Sequence, residues 1–117
     1  MQFEVSTLDG GIVRVAIGGR LDMDAAIKLE NPFTFQVATV KAPVVVDMTA
    51  VEFIASIAMR LLLKNAKAQQ GRGGKLVLYN PTPVVREALT VSGIATIIPM
   101  YDDFDAACQN ALAGTTA

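Results

Sequence analysis

The run Val44-Val45-Val46-Asp47-Met48 constrains the fold more than any other stretch of the chain. It is short, continuous and β-branched, with no polar alternation before Asp47. Such a strand has no face suited to water, so it belongs inside a sheet covered on both sides. The next strand-like run, Lys75 to Tyr79, is reached only through a helical stretch, Ser56 to Gln70. Two strands joined by a helix of that length pair in parallel.

The rest of the chain extends this pattern. Phe3 to Asp9 and the run Ile12, Val13, Val15, Ile17 flank Asp9-Gly10-Gly11, a hairpin signal, with the second strand ending at Gly18-Gly19. Asp22, Asp24 and Glu30, with Ala25, Ala26 and Leu29, suit the early part of a helix. Pro32 should stop or kink it, and Phe33 to Val37 fits either strand or helix. A loop is expected over Thr49 to Ala55. In the helix from Ser56, Met59, Leu62, Leu63 and Ala66 fall on one face and Arg60, Lys64 and Lys67 on another, with Gly71 as the stop. Thr82 is the expected N-cap of a helix opened by Pro83 and ended by Gly93. It carries Val85, Leu89 and Ser92. Ile94 to Met100 holds a last short strand. Asp102 or Asp103 caps a final helix bearing Phe104, Ala107, Cys108 and Ala111, and residues 113–117 form a frayed tail. The expected fold is a single α/β domain: an N-terminal hairpin, then alternating strands and helices, giving a mixed sheet packed with helices.

The 117 residues suit one domain, and 52% of them are hydrophobic, ample for a core. Ten basic and 11 acidic residues give a net charge of −1, and no like-charge run exceeds two residues. Nucleic acid and anionic membrane are therefore disfavoured as partners. No stretch approaches the roughly 18–20 apolar residues of a membrane span, and Met1 to Val5 lacks a signal-peptide layout. No direct membrane insertion and a cytoplasmic location are expected. The chain has no histidine and one cysteine. This removes disulfides, Cys/His metal sites and the commonest general base, so no catalytic residue, cofactor or metal is expected.

Four positions invite a functional reading. Gly71-Arg72-Gly73-Gly74-Lys75 looks like a phosphate loop, but such loops run from strand to helix, whereas here the helix comes first; a plain turn is expected. Asp47 ends an apolar strand, where receiver domains keep a phospho-accepting aspartate. The acidic pair and late lysine of that chemistry are missing, so Asp47 is expected to organise the following loop. Cys108, on an apolar face, reads as a buried, inert thiol. Ser56 follows Phe53-Ile54-Ala55 and opens a helix, as an N-cap would.

The ordered set Gly19-Arg20-Leu21-Asp22, Val44 to Thr49, Val51 to Ser56, Asn80-Pro81 with Val84, Leu89 and Gly93, and the Asp103–Ala107 helix start resembles a STAS domain of the anti-sigma-factor antagonist type. The resemblance implies binding to a serine protein kinase that is also an anti-sigma factor. It implies release when the kinase phosphorylates the serine matching Ser56, and restoration by a phosphatase acting on Ser56. It places the partner-binding surface at Asp22, Thr49, Phe53, Ala55, Ser56, Ile57 and Arg60. Where many members carry an acidic residue before the serine and Ser/Thr-Gly-Leu from it, this chain has Ala55 and Ser56-Ile57-Ala58-Met59. The alternative within the resemblance is a non-phosphorylated STAS subunit of a membrane-associated transport complex.

Overall fold

In a computed structural model, which describes residues 1–116, Asp9-Gly10-Gly11 turns the chain back as a short 3-10 turn. It joins β1 (Gln2–Thr7) to β2 (Val13–Leu21), which pair antiparallel with Val5 opposite Val15. Next come α1 (Met23–Ala38), β3 (Pro43–Ile54), α2 (Ser56–Arg72), β4 (Lys75–Tyr79), α3 (Pro83–Val91), β5 (Met100–Tyr101) and α4 (Phe104–Ala113). The sheet order is β1-β2-β3-β4-β5, and every pair after the hairpin is parallel. This is the expected single-domain α/β fold with a mixed sheet.

The first part of β3, Pro43 to Val46, is apolar because both faces of the sheet are covered there. Val44, Val46 and Met48 join Leu29 and Phe33 of α1, Leu61 and Leu62 of α2, and Val85 and Leu89 of α3. Val45 points the other way, with Ile12 and Val77, under Ala107 and Ala111 of α4. α4 packs over β3, β4 and β5. At the β1–β2 side of that face, Glu4, Arg14, Ala16 and Asp47 line a groove instead.

Several expectations need correction. Thr49 to Ala55 is strand up to Ile54, because β2 also continues to Leu21 and pairs with it, Gly18 with Ala50 and Leu21 with Ile54. Its polar residues, Thr49 and Glu52, are solvent-facing positions on that extension. Pro32 does not stop α1. Burying Phe33 and Val37 is worth about 1.5–3 kcal/mol each, against about 3 kcal/mol for an interior proline, and the Lys28 carbonyl it leaves unpaired lies on an exposed face.

α2 buries Ala58, Leu61, Leu62, Asn65 and Gln69, while Met59, Leu63 and Ala66 form a half-buried shoulder. Gln69 locks this rotation: its Nε2 donates to the Val37 and Val40 carbonyls (2.6 and 2.7 Å) and its Oε1 accepts from Ala42 N (3.0 Å). The helix ends at Gly73, whose φ of +89° and N–H to the Gln69 and Gln70 carbonyls cap it, not at Gly71. Ile94–Thr96 is a 3-10 turn, and β5 has two residues only. Thr82 and Asp103 cap α3 and α4. Within the tail expected to fray, Thr116 N–H donates to the Gly73 carbonyl (2.8 Å); Ala117 lies outside the described residues.

Candidate functional site

β3 hands the chain to α2 through Ala55, whose N–H donates to the Leu21 carbonyl (2.8 Å). That bond sets the starts of α1 and α2 side by side. Ala55, with φ −84° and ψ 161°, is the N-cap of α2, and no side chain caps the helix. Ser56 is therefore the first helical residue, exposed, and not the N-cap expected from its position. The α1 start is capped by Asp22, whose Oδ1 accepts from Ala25 N (3.0 Å).

Around this junction, Phe53 is half-buried and sits in register with Arg20. The Arg20 guanidinium lies 4.5 Å from the Phe53 ring centroid, a cation–π pair. Ile57 and exposed Arg60 line a groove of about 280 Å³ between α1 and α2 with Ala26, Glu30, Leu61 and Lys64. The fold thus gathers Asp22, Phe53, Ala55, Ser56, Ile57 and Arg60 at one end of the molecule.

Thr49 stands apart. It lies roughly 20 Å back along an extended strand, its hydroxyl accepts from Asn80 Nδ2 (3.2 Å), and its N–H donates to Asp47 (3.0 Å). Asp47 also pairs with Arg14 (2.6 Å). Burial alone would raise the Asp47 pKa. The hydrogen bonds from Thr49 and the Arg14 charge outweigh it and hold the carboxyl below its usual range. Asp47 thus organises the backbone that follows it. Cys108 is half-buried against the α4 core, and burial, then the Asp105 charge, push its thiol pKa up. At the glycine turn, the N–H groups of Gly73, Gly74 and Lys75 are spent on the Gln70, Gln69 and Ala42 carbonyls, so no amide cradle is free. Among the described residues no cluster of His, Cys, Asp or Glu could hold a metal ion, and no helix is long and apolar enough to cross a membrane.

Sequence reasoning passed over three residues at the junction. Arg20 enters the sequence pattern only within Gly19-Arg20-Leu21-Asp22. Met23 and Ile27 are 62% and 58% exposed on the first turns of α1; their spacing of four, off the Ala25–Ala26–Leu29 face, was the available signal.

A family model described as STAS domain matches residues 5–107. The chain belongs to the STAS domain family. A relative from Bordetella bronchiseptica named as a candidate anti-sigma factor antagonist, BtrV, is 30% identical over 107 residues, covering 92% of this chain and 91% of the relative. The crystal structure of an anti-sigma factor antagonist from Mycobacterium paratuberculosis superposes with a TM-score of 0.82 at 25% identity, over 94% of this STAS domain and 92% of that chain. The anti-sigma factor antagonist SpoIIAA in its unphosphorylated form shares the fold, with a TM-score of 0.74 at 18% identity over 99% and 100% of the two chains. The resemblance carried by Gly19–Asp22 and Val51–Ser56 is thus borne out for this STAS domain at the level of family and fold.

Proposed function

We propose that this STAS domain is a cytoplasmic anti-sigma factor antagonist that works by partner switching and not by catalysis. Unphosphorylated, it binds a serine protein kinase that is also an anti-sigma factor. Ser56 Oγ takes the γ-phosphoryl group of the kinase's ATP, the complex dissociates, and a phosphatase restores the free serine. One observation carries this reading: an exposed serine opens a 17-residue helix without capping it, so its hydroxyl is free for chemistry.

The electrostatics suit the switch. Phosphorylation adds about −1.5 to −2 charges. The helix N-terminus offers a partly positive dipole end and free N–H groups, and Arg60 lies one turn on at i+4, so the fold tolerates the modification. A partner surface closed over Ser56 does not. Burying that charge unpaired costs about 2–5 kcal/mol, roughly 30- to 4,000-fold in affinity. The test is a titration of the co-purified kinase with wild type, Ser56→Ala and protein phosphorylated stoichiometrically at Ser56. Wild type and Ser56→Ala should bind alike and the phosphorylated form at least about 30-fold more weakly. Equal affinity of all three would sink the switch.

A further inference from the structure

Lys41, Lys67 and Lys75 converge at the pole where the parallel strands begin, the opposite end of α2 from Ser56. Lys67 and Lys75 line a groove of about 310 Å³ with Gln70, Gly73, Ile97 and Thr116, and among the described residues no carboxylate lines it. Lys41 borders the same groove, since a Cβ placed on Gly73 would lie 3.4 Å from its Cδ. Among the described residues the ion pairs are Arg14–Asp47, Lys64–Glu30 and Arg86–Asp102, so none of the three lysines is neutralised there. The Lys75 stem is held in place. Lys75 lies against Gly114 so closely that a Cβ there would come within 2.8 Å of its Cγ, and the Thr116 hydroxyl donates to the Gly73 carbonyl (3.2 Å) to close the rim.

We propose that this groove binds a phosphoryl group, held by the three ammonium groups. Lysine binds phosphate as a mobile point charge, and a phosphate dianion lets two ammoniums be neutralised at once. Because the turn's amides are all spent on carbonyls, side chains do the binding, in contrast to a phosphate loop. The phosphate can come from a soluble phosphate compound or from a lipid headgroup. The 17 residues of α2 separate this site from Ser56 by about 25 Å.

The experiment follows backbone amide shifts of the full chain during titration with pyrophosphate, and co-sedimentation with vesicles of phosphatidylcholine with or without phosphatidic acid, whose headgroup is a phosphomonoester. Lys67→Ala/Lys75→Met removes two charges while keeping the Lys75 stem on Gly114; Lys64→Ala is the charge control outside the groove. Lys67→Ala alone, at an exposed helix position, serves should the double variant not fold. Saturable shifts at Gly73, Gly74, Lys75 and Thr116 with pyrophosphate, weakened at least about tenfold in the groove variant and unchanged in Lys64→Ala, are expected for a soluble ligand. Binding only to the vesicles containing phosphatidic acid, with the same variant dependence, assigns the site to a headgroup. No saturable binding in either arm, or binding equal in the groove variant and wild type, overturns the proposal.

Discussion

A serine at a helix N-cap lends its oxygen to an exposed N–H, and a serine one position later does not. Ser56 is in the second situation, and the N-cap is Ala55, which has no side-chain oxygen to lend. Ser56→Ala should therefore leave stability within about 0.5 kcal/mol of wild type, on the favourable side, since alanine is the better helix former. Ala55→Asp should gain about 1 kcal/mol by supplying the missing cap. Urea midpoints of the two variants check both values. The acidic residue common before the serine in this family gains a physical meaning here, because it would occupy the N-cap. Asp47 gives a second prediction at this scale. Its folded-state pKa lies below the ordinary value. Its contribution to stability is thus fully present above the unfolded pKa and is lost as pH falls through the folded one. Arg14→Met removes a group that lowers that pKa, so the loss of stability between pH 7 and about pH 3 should be smaller than in wild type. An unchanged difference in urea midpoint between those pH values would show that the Arg14 pair carries none of the shift.

At the scale of elements, two neighbouring glycines at the end of α2 should respond in opposite directions. Gly71 is helical, and a Cβ on it would meet nothing within 4 Å, whereas Gly73 has φ +89° and a Cβ there would lie 2.5 Å from Thr116 Oγ1. Gly71→Ala should stabilise by about 0.5–1 kcal/mol and Gly73→Ala should destabilise by at least about 1 kcal/mol. Thermal melts of the pair would locate the end of the helix in solution. α1 offers the matching test at its middle. Pro32 is exposed within a helix whose buried face continues through Phe33 and Val37. Pro32→Ala restores a hydrogen bond and should add about 1–2 kcal/mol. A loss would show that the fixed φ of proline is needed to seat Phe33.

The whole molecule is one sheet with a core on each face, the larger under α1, α2 and α3 and the smaller under α4. Adjacent residues of β3 serve different cores, Val45 the smaller and Val46 the larger, so the sheet couples them. Val45→Ala and Val46→Ala should each cost about 2 kcal/mol and still give one unfolding transition. Far-ultraviolet circular dichroism should coincide with fluorescence of Tyr79 and Tyr101, which pack against the smaller core. Separate transitions would show α4 leaving first. Much of this organisation was legible in the sequence. The unbroken apolar run at Val44–Met48 demanded a doubly covered strand, the helices between strands demanded parallel pairing, and Thr82, Pro83 and Gly93 marked their own helix. All of these signals are local, written in periodicity and capping. The start of a helix at Ser56 was likewise legible, although which residue caps it depends on the φ and ψ of Ala55. The length of β3, the passage of α1 through Pro32 and the rotation of α2 were decided only in three dimensions. Each rests on a distant partner: β2 beyond Gly18, the core around Phe33, and the carbonyls that Gln69 reaches. The gathering of Lys41, Lys67 and Lys75 at one pole is of the same kind. A net charge of −1 conceals it, because a sum over the chain keeps no record of where folding puts each charge.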